Sequence, residues 1–222
     1  MQFLTSSRRG IQRPWFRNAC DRDILRSMSN TNSIVRSPDL MNADTSAILV
    51  VDVQEKLLAA IPNHSSIVWN IHRLLRGAKT LGVLAAATEQ YPEKLGSTSP
   101  QLAGFFEDIP AKLKFSCGGC PEVFHQFRDA GIDTVLVAGI ESHVCILQTV
   151  YDLLSEGFRV HLAVDAVGSR FQTDREIALR RMESSGVVLT TTETALFEWC
   201  EIAGTPEFKA ISKIVREVEP TT

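Results

Sequence analysis

The chain has 222 residues, 44% of them hydrophobic and 22% charged, with a formal net charge of -3 at pH 7. That length suits one α/β domain with extra chain at an end, and the hydrophobic share is enough for a sizeable core. The charge balance leaves no electrostatic footprint for nucleic acid or an anionic membrane, no apolar run is long enough to span a bilayer, and five cysteines do not form a disulfide scaffold. A reducing, cytoplasmic setting is expected. Residues 1–42 stand apart, with Arg8, Arg9, Arg13, Arg17, Arg22 and Arg26 among many serines and no sustained apolar period. They read as a flexible N-terminal extension ahead of a domain at 43–222. Import into an organelle is the weaker alternative, since Asp21 and Asp23 do not suit a transit peptide.

From Ala47 to Val53 the chain reads as a buried strand with Asp52 near its end. Ser66 to Leu81 places Ile67, Ile71, Leu74, Leu75 and Ala78 on one face, which predicts a helix. A second strand follows at Gly82 to Thr88, a short helix at Leu102 to Phe106, and a short third strand at Lys112 to Ser116. Pro121 opens a helix that runs to Ala130. Thr134 to Ala138 is a buried strand, followed by the turn Gly139 to Ser142 and a helix with Val144, Leu147, Val150, Tyr151 and Leu154 at helical spacing. A fifth strand (Phe158 to Val164), a helix (Thr173 to Ser185) and a sixth strand (Val187 to Thr191) come next. Helices near Thr194 to Glu201 and Pro206 to Glu217 end the chain. Strand and helix alternate six times, so an α/β fold with a six-stranded, mainly parallel sheet covered on both faces is predicted.

In such sheets ligands bind beyond the carboxyl ends of the strands. Asp52, Glu89, Lys112 and Cys145 all fall at or near such ends. Ser142 stands where an N-cap would stand, which puts Cys145 in the first turn, where free amides and the helix dipole favour thiolate. The competing reading is a small buried apolar residue. Asp52 has the chemistry of a general base or of a cap. Lys112 and Lys114 flank Leu113, so in a strand both face one side, either toward solvent or toward the rim.

The ordered set VVDVQEKL, TEQYPEKLG, AKLKFSC, AGIESHVCILQT and VDAVGSR resembles the isochorismatase-like hydrolases over about Ala47 to Glu217. The resemblance is greatest to the isochorismatase-domain-containing branch. It implies a Rossmann-like three-layer α/β/α sandwich and a catalytic triad of Asp52, Lys112 and Cys145. It also implies a cis peptide at Ile140–Glu141, with the amides of Glu141 and Cys145 as oxyanion hole. The implied reaction is hydrolysis of a small amide, carbamoyl or related substrate through a covalent intermediate. Gln54, Glu89, Tyr91, Phe115 and His143 are candidates for substrate contact. Members of the family are usually dimers or larger, so a homo-oligomer is expected, with a small molecule as the other partner.

Nicotinamidases of the superfamily carry an Asp-Trp-His metal motif after the second strand. The corresponding TEQYPEKLG has no histidine, so neither a metal nor another cofactor is expected. Cys117-Gly118-Gly119-Cys120 suggests a second class of function, a thiol–disulfide redox protein, although the order of elements is not that of a thioredoxin. A catalytically silent interaction protein is the third.

Overall fold

The computed structural model of the chain describes residues 35–219. The residues from Asp39 onward form one compact unit, and the expected extension lies outside the described residues as far as residue 34. Six strands, β1 (Ser46–Val51), β2 (Leu84–Gln90), β3 (Ala111–Lys112), β4 (Thr134–Ile140), β5 (Arg159–Gly168) and β6 (Val188–Thr190), make one sheet in the order β3-β2-β1-β4-β5-β6. Every pairing is parallel. The helices are α1 (Glu55–Leu58), α2 (His64–Leu81), α3 (Pro92–Leu95), α4 (Pro100–Ala103), α5 (Pro121–Asp129), α6 (Leu147–Ser155), α7 (Gln172–Ser184), α8 (Thr192–Cys200) and α9 (Pro206–Val215). None is long and apolar enough to cross a membrane.

The unbroken apolar runs of β1 and β4 follow from burial on both faces. Successive side chains of a strand point to opposite sides, and two cores result. Ile48 and Val50 of β1 with Leu136 and Ala138 of β4 join Ile71, Leu74 and Leu75 of α2, Leu196 of α8 and Ile211 of α9. Ala47, Leu49 and Val51 with Val135 and Val137 join Phe124 and Phe127 of α5, Val150 and Leu153 of α6, and Met182 of α7. Three layers are the only arrangement that covers such a sheet, so the α/β/α sandwich is the observed fold.

The chain leaves β3 after Lys112, the first residue of the expected five-residue strand. Lys114 is therefore exposed while Lys112 is buried, and the two do not share a face. β5 runs to Gly168, beyond the expected end at Val164, because a register shift opposite Val137 and Gly139 lets DAVG stay in the sheet. Asp165 then accepts from the Thr192 N–H (2.9 Å) at the start of α8.

The sheet order reverses between β1 and β4, and at such a switch point a crevice opens above the carboxyl ends. Close approach of those two strands depends on Gly139, whose φ is +124°. A Cβ there would lie 2.2 Å from the Val51 carbonyl oxygen, a backbone atom with no freedom to retreat. Gly139→Ala is expected to cost about 3 kcal/mol or more, or to prevent folding. Urea denaturation measures the loss, and a near-native midpoint would contradict it.

Candidate active site

The site lies at that switch point. Asp52 directly follows β1 with φ +54°, a left-handed conformation that Asp tolerates better than most residues. A tight turn holds it, the Gln54 N–H donating to the Asp52 carbonyl at 2.8 Å. The side chain is fully buried, and both carboxylate oxygens are engaged. Thr88 Oγ1 donates to Oδ1 at 2.9 Å, and Lys112 Nζ donates to Oδ2 at 2.6 Å. Lys112 Nζ also donates to Gln90 Oε1 (2.9 Å) and to the carbonyl of Phe115 (2.8 Å). An ammonium so enclosed by acceptors is a fixed charge rather than a solvated one.

Cys145 is the third group. It is buried at 5% exposure, the less completely enclosed of the two, Asp52 being at 0%. Here the structure corrects the expected local geometry. Ser142–Ile146 form a π-helical turn, Glu141 precedes it in the cap position, and Ser142 makes no side-chain cap. The Ser142 hydroxyl is buried without a hydrogen-bond partner. The Ile140–Glu141 peptide is cis. The Glu141 carbonyl accepts from the N–H groups of Val144 (3.1 Å) and Ile146 (3.2 Å), so the turn is closed on itself around Cys145.

The electrostatics also differ from a simple helix-start picture. Burial pushes the Cys145 thiol well up, the Asp52 charge pushes it further, and Lys112 opposes both. The resting group is a thiol. Burial raises the Asp52 carboxyl as well, while the Lys112 charge and hydrogen bonds from Lys112, Cys145 and Thr88 pull it down. A raised carboxyl is a better proton acceptor, and the Cys145 thiol is hydrogen-bonded to it.

The five candidates for substrate contact are placed differently from one another. Gln54 is fully buried, donating to the Gln90 carbonyl (3.0 Å) and the Gly96 carbonyl and accepting from the Gln90 N–H (2.7 Å). Glu89 accepts from the Thr98 N–H (2.6 Å) and hydroxyl (2.8 Å). Both tie the segment after β2 in place. Tyr91 (39% exposed) and Phe115 (52% exposed) leave their rings at the surface. His143 turns toward Ser169 Oγ (Nδ1, 3.0 Å) and Asp174 (3.7 Å), away from a Cys-His pairing. Arg170 holds Glu141 Oε2 through its backbone N–H (3.0 Å) and its Nε (3.1 Å).

Thr88 and Gln90 complete the site, and sequence reasoning passed over both. Their signal was the alternation of β2: residues two apart share a face, and Thr88 and Gln90 are the two polar side chains on the buried one.

Cys117 and Cys120 are free, buried thiols. Burial pushes Cys117 up to about 12 and Cys120 up to about 11. A reactive redox pair needs lowered values and exposure, so the redox reading gains no support. The shift has a consequence for stability. In the unfolded chain an ordinary thiol ionises near 9, whereas folded Cys117 keeps its proton to about 12. The stability that this thiol contributes is therefore present below the unfolded value and lost as pH rises toward the folded one. Between about pH 8 and about pH 10, urea denaturation is expected to show Cys117→Ala losing about 1.4 kcal/mol less than the parent chain. Equal losses would contradict the shift.

Among the described residues no group of three His, Cys, Asp or Glu side chains is arranged to hold a metal ion. The sequence profile of the Isochorismatase domain matches residues 46–194. Isochorismatase domain-containing protein 2 of Danio rerio is 40% identical over 179 residues, covering 80% of this chain and 90% of that protein. The secreted isochorismatase effector Isc1 of Phytophthora sojae is 38% identical over 180 residues, covering 78% and 85%. The structure named MAR1 ribonuclease from Caenorhabditis elegans superposes with a TM-score of 0.76 at 38% identity, covering 82% of this chain and 95% of that one. Sequence profile, curated relatives and fold agree: the chain belongs to the isochorismatase-like hydrolase family.

Proposed function

We propose that this protein is a cysteine hydrolase that cleaves the C–N bond of a small amide or carbamoyl compound. One observation carries the reading: a fully buried carboxylate, clamped by Thr88 and Lys112, faces the thiol of Cys145. Asp52 takes the thiol proton as sulfur attacks the carbonyl carbon. The charge on the carbonyl oxygen is received by the amides of Glu141 and Cys145. Asp52 returns the proton to the departing nitrogen, the C–N bond breaks, and a thioester remains on Cys145. Water attacks the thioester, giving up a proton to Asp52, which passes it back to the sulfur. Lys112 stays charged throughout and keeps Asp52 ionised between steps. Tyr91, Phe115 and His143 are the residues we assign to the substrate side of the rim, while Gln54 and Glu89 shape the loop beneath it.

The ribonuclease name of the Caenorhabditis elegans relative suggests RNA as an alternative substrate. A net charge of -3 and a thiol at only 5% exposure favour a small molecule over a polynucleotide. A panel of small amides, carbamoyl compounds, isochorismate and RNA tests both readings. Amine or ammonia release is the expected result, and RNA cleavage without it would overturn the assignment.

A further inference from the structure

Cys117 belongs to a motif that the proposed mechanism leaves unused, yet its sulfur lies within the same hydrogen-bond network. Thr88 Oγ1 is 2.9 Å from Asp52 Oδ1 and 3.3 Å from Cys117 Sγ. A hydroxyl has one proton to give and lone pairs to receive with, whereas an ionised carboxylate only accepts. The Thr88 proton therefore goes to Asp52, and the contact with sulfur runs from thiol to hydroxyl. We propose that Cys117 is a positioning residue for the nucleophile–base pair: its S–H donates to Thr88 Oγ1 and so fixes the Thr88 hydroxyl as a donor to Asp52. This rests on reading Cys145 as the nucleophile and Asp52 as its base.

The surroundings suit that task. Cys117 is fully buried, and its thiol holds its proton at every physiological pH. Its N–H donates to Thr149 Oγ1 of α6 at 2.9 Å, which sets the sulfur's height above the sheet. The preceding Ser116 hydroxyl donates to Asp152 of α6 and accepts from the Gly118 N–H at 3.0 Å, so the single turn at Cys117–Gly119 is pinned to α6 at its start. The titratable groups facing Cys117 are Asp52 after β1, Lys112 of β3 and Cys145 of the π-helical turn, beside the hydroxyls of Thr88 on β2 and Thr149 on α6. Cys120 takes no part, its sulfur lying 3.6 Å from the Ala111 carbonyl. The pair is thus divided, one cysteine serving the network and the other packing beneath it.

Without the S–H donor the Thr88 hydroxyl can rotate away, and Asp52 loses a hydrogen bond that favours its ionised form. The measurement is the rate of Cys145 alkylation by iodoacetamide against pH in the full chain, counted on the Cys145 peptide by mass spectrometry. Its acid limb reports Asp52. Cys117→Ala is expected to move that limb up by about half to one pH unit, a three- to tenfold slower reaction on the limb. Cys117→Ser, which keeps a donor, restores most of it. Cys117→Val, which fills the space without a donor, gives the alanine result should alanine fail to fold. Thr88→Val produces the same shift, and adding Cys117→Ala to it changes nothing further. An unmoved limb in Cys117→Ala and Cys117→Val, or equal shifts in the alanine and serine variants, would overturn the positioning role while leaving the nucleophile in place. A parent chain whose Cys145 reacts like an ordinary thiol, with no acid limb, would instead overturn the nucleophile reading and this inference with it.

Discussion

Cys145→Ser is expected to lower turnover on the substrate that the panel identifies by at least about a thousandfold, with thermal stability close to that of the parent chain. In the proposed mechanism the Cys145 thiol keeps its proton until attack and then gives it to Asp52. Burial and the Asp52 charge already push that thiol up. A serine hydroxyl in the same place holds its proton much more strongly, and a carboxylate cannot take it. The fold is indifferent to the exchange, because the turn is closed by the Glu141 carbonyl and not by the Cys145 side chain. Initial rates of amine release, with a thermal melt alongside, decide the matter. A serine variant retaining more than about a tenth of the parent rate would remove Cys145 from the mechanism.

Lys112→Met should both destabilise and inactivate the protein. The Lys112–Asp52 pair has no side-chain exposure on either partner. Removing the cation strands a carboxylate in a dry site and leaves the Gln90 Oε1 and Phe115 carbonyl acceptors without their donor. Breaking a pair of this kind costs about 3–5 kcal/mol. Asp52 can relieve part of that by taking up a proton, and then it is no longer a base. The double variant Asp52→Asn, Lys112→Met removes both charges and is expected to recover more than half of the lost stability while staying inactive. Urea denaturation of the two single variants and the double variant gives the coupling. A Lys112→Met chain as stable as the parent would mean that the pair contributes nothing to the fold.

The alternation of apolar runs and helical spacings in the sequence was sufficient to determine the sandwich. β1 and β4 are continuous apolar stretches because burial on two faces demands it, and local pattern records that demand directly. It also determined which residues stand at strand ends, and hence that Asp52, Lys112 and Cys145 were worth attention. Tertiary structure alone decided the rest. β3 stops after Lys112 since its neighbour β2 offers pairing only at Glu89 and Gln90, which sends Lys114 to solvent and Lys112 inward. The turn that carries Cys145 is π-helical, an arrangement without a propensity signature. Ser142, which has the chemistry of a cap, is buried instead. Most of all, the charge state of the site was illegible. A helix start by itself favours thiolate, whereas burial and the Asp52 charge push this thiol up. Desolvation depends on what neighbouring strands bring alongside, and that is a property of the fold rather than of any stretch of chain.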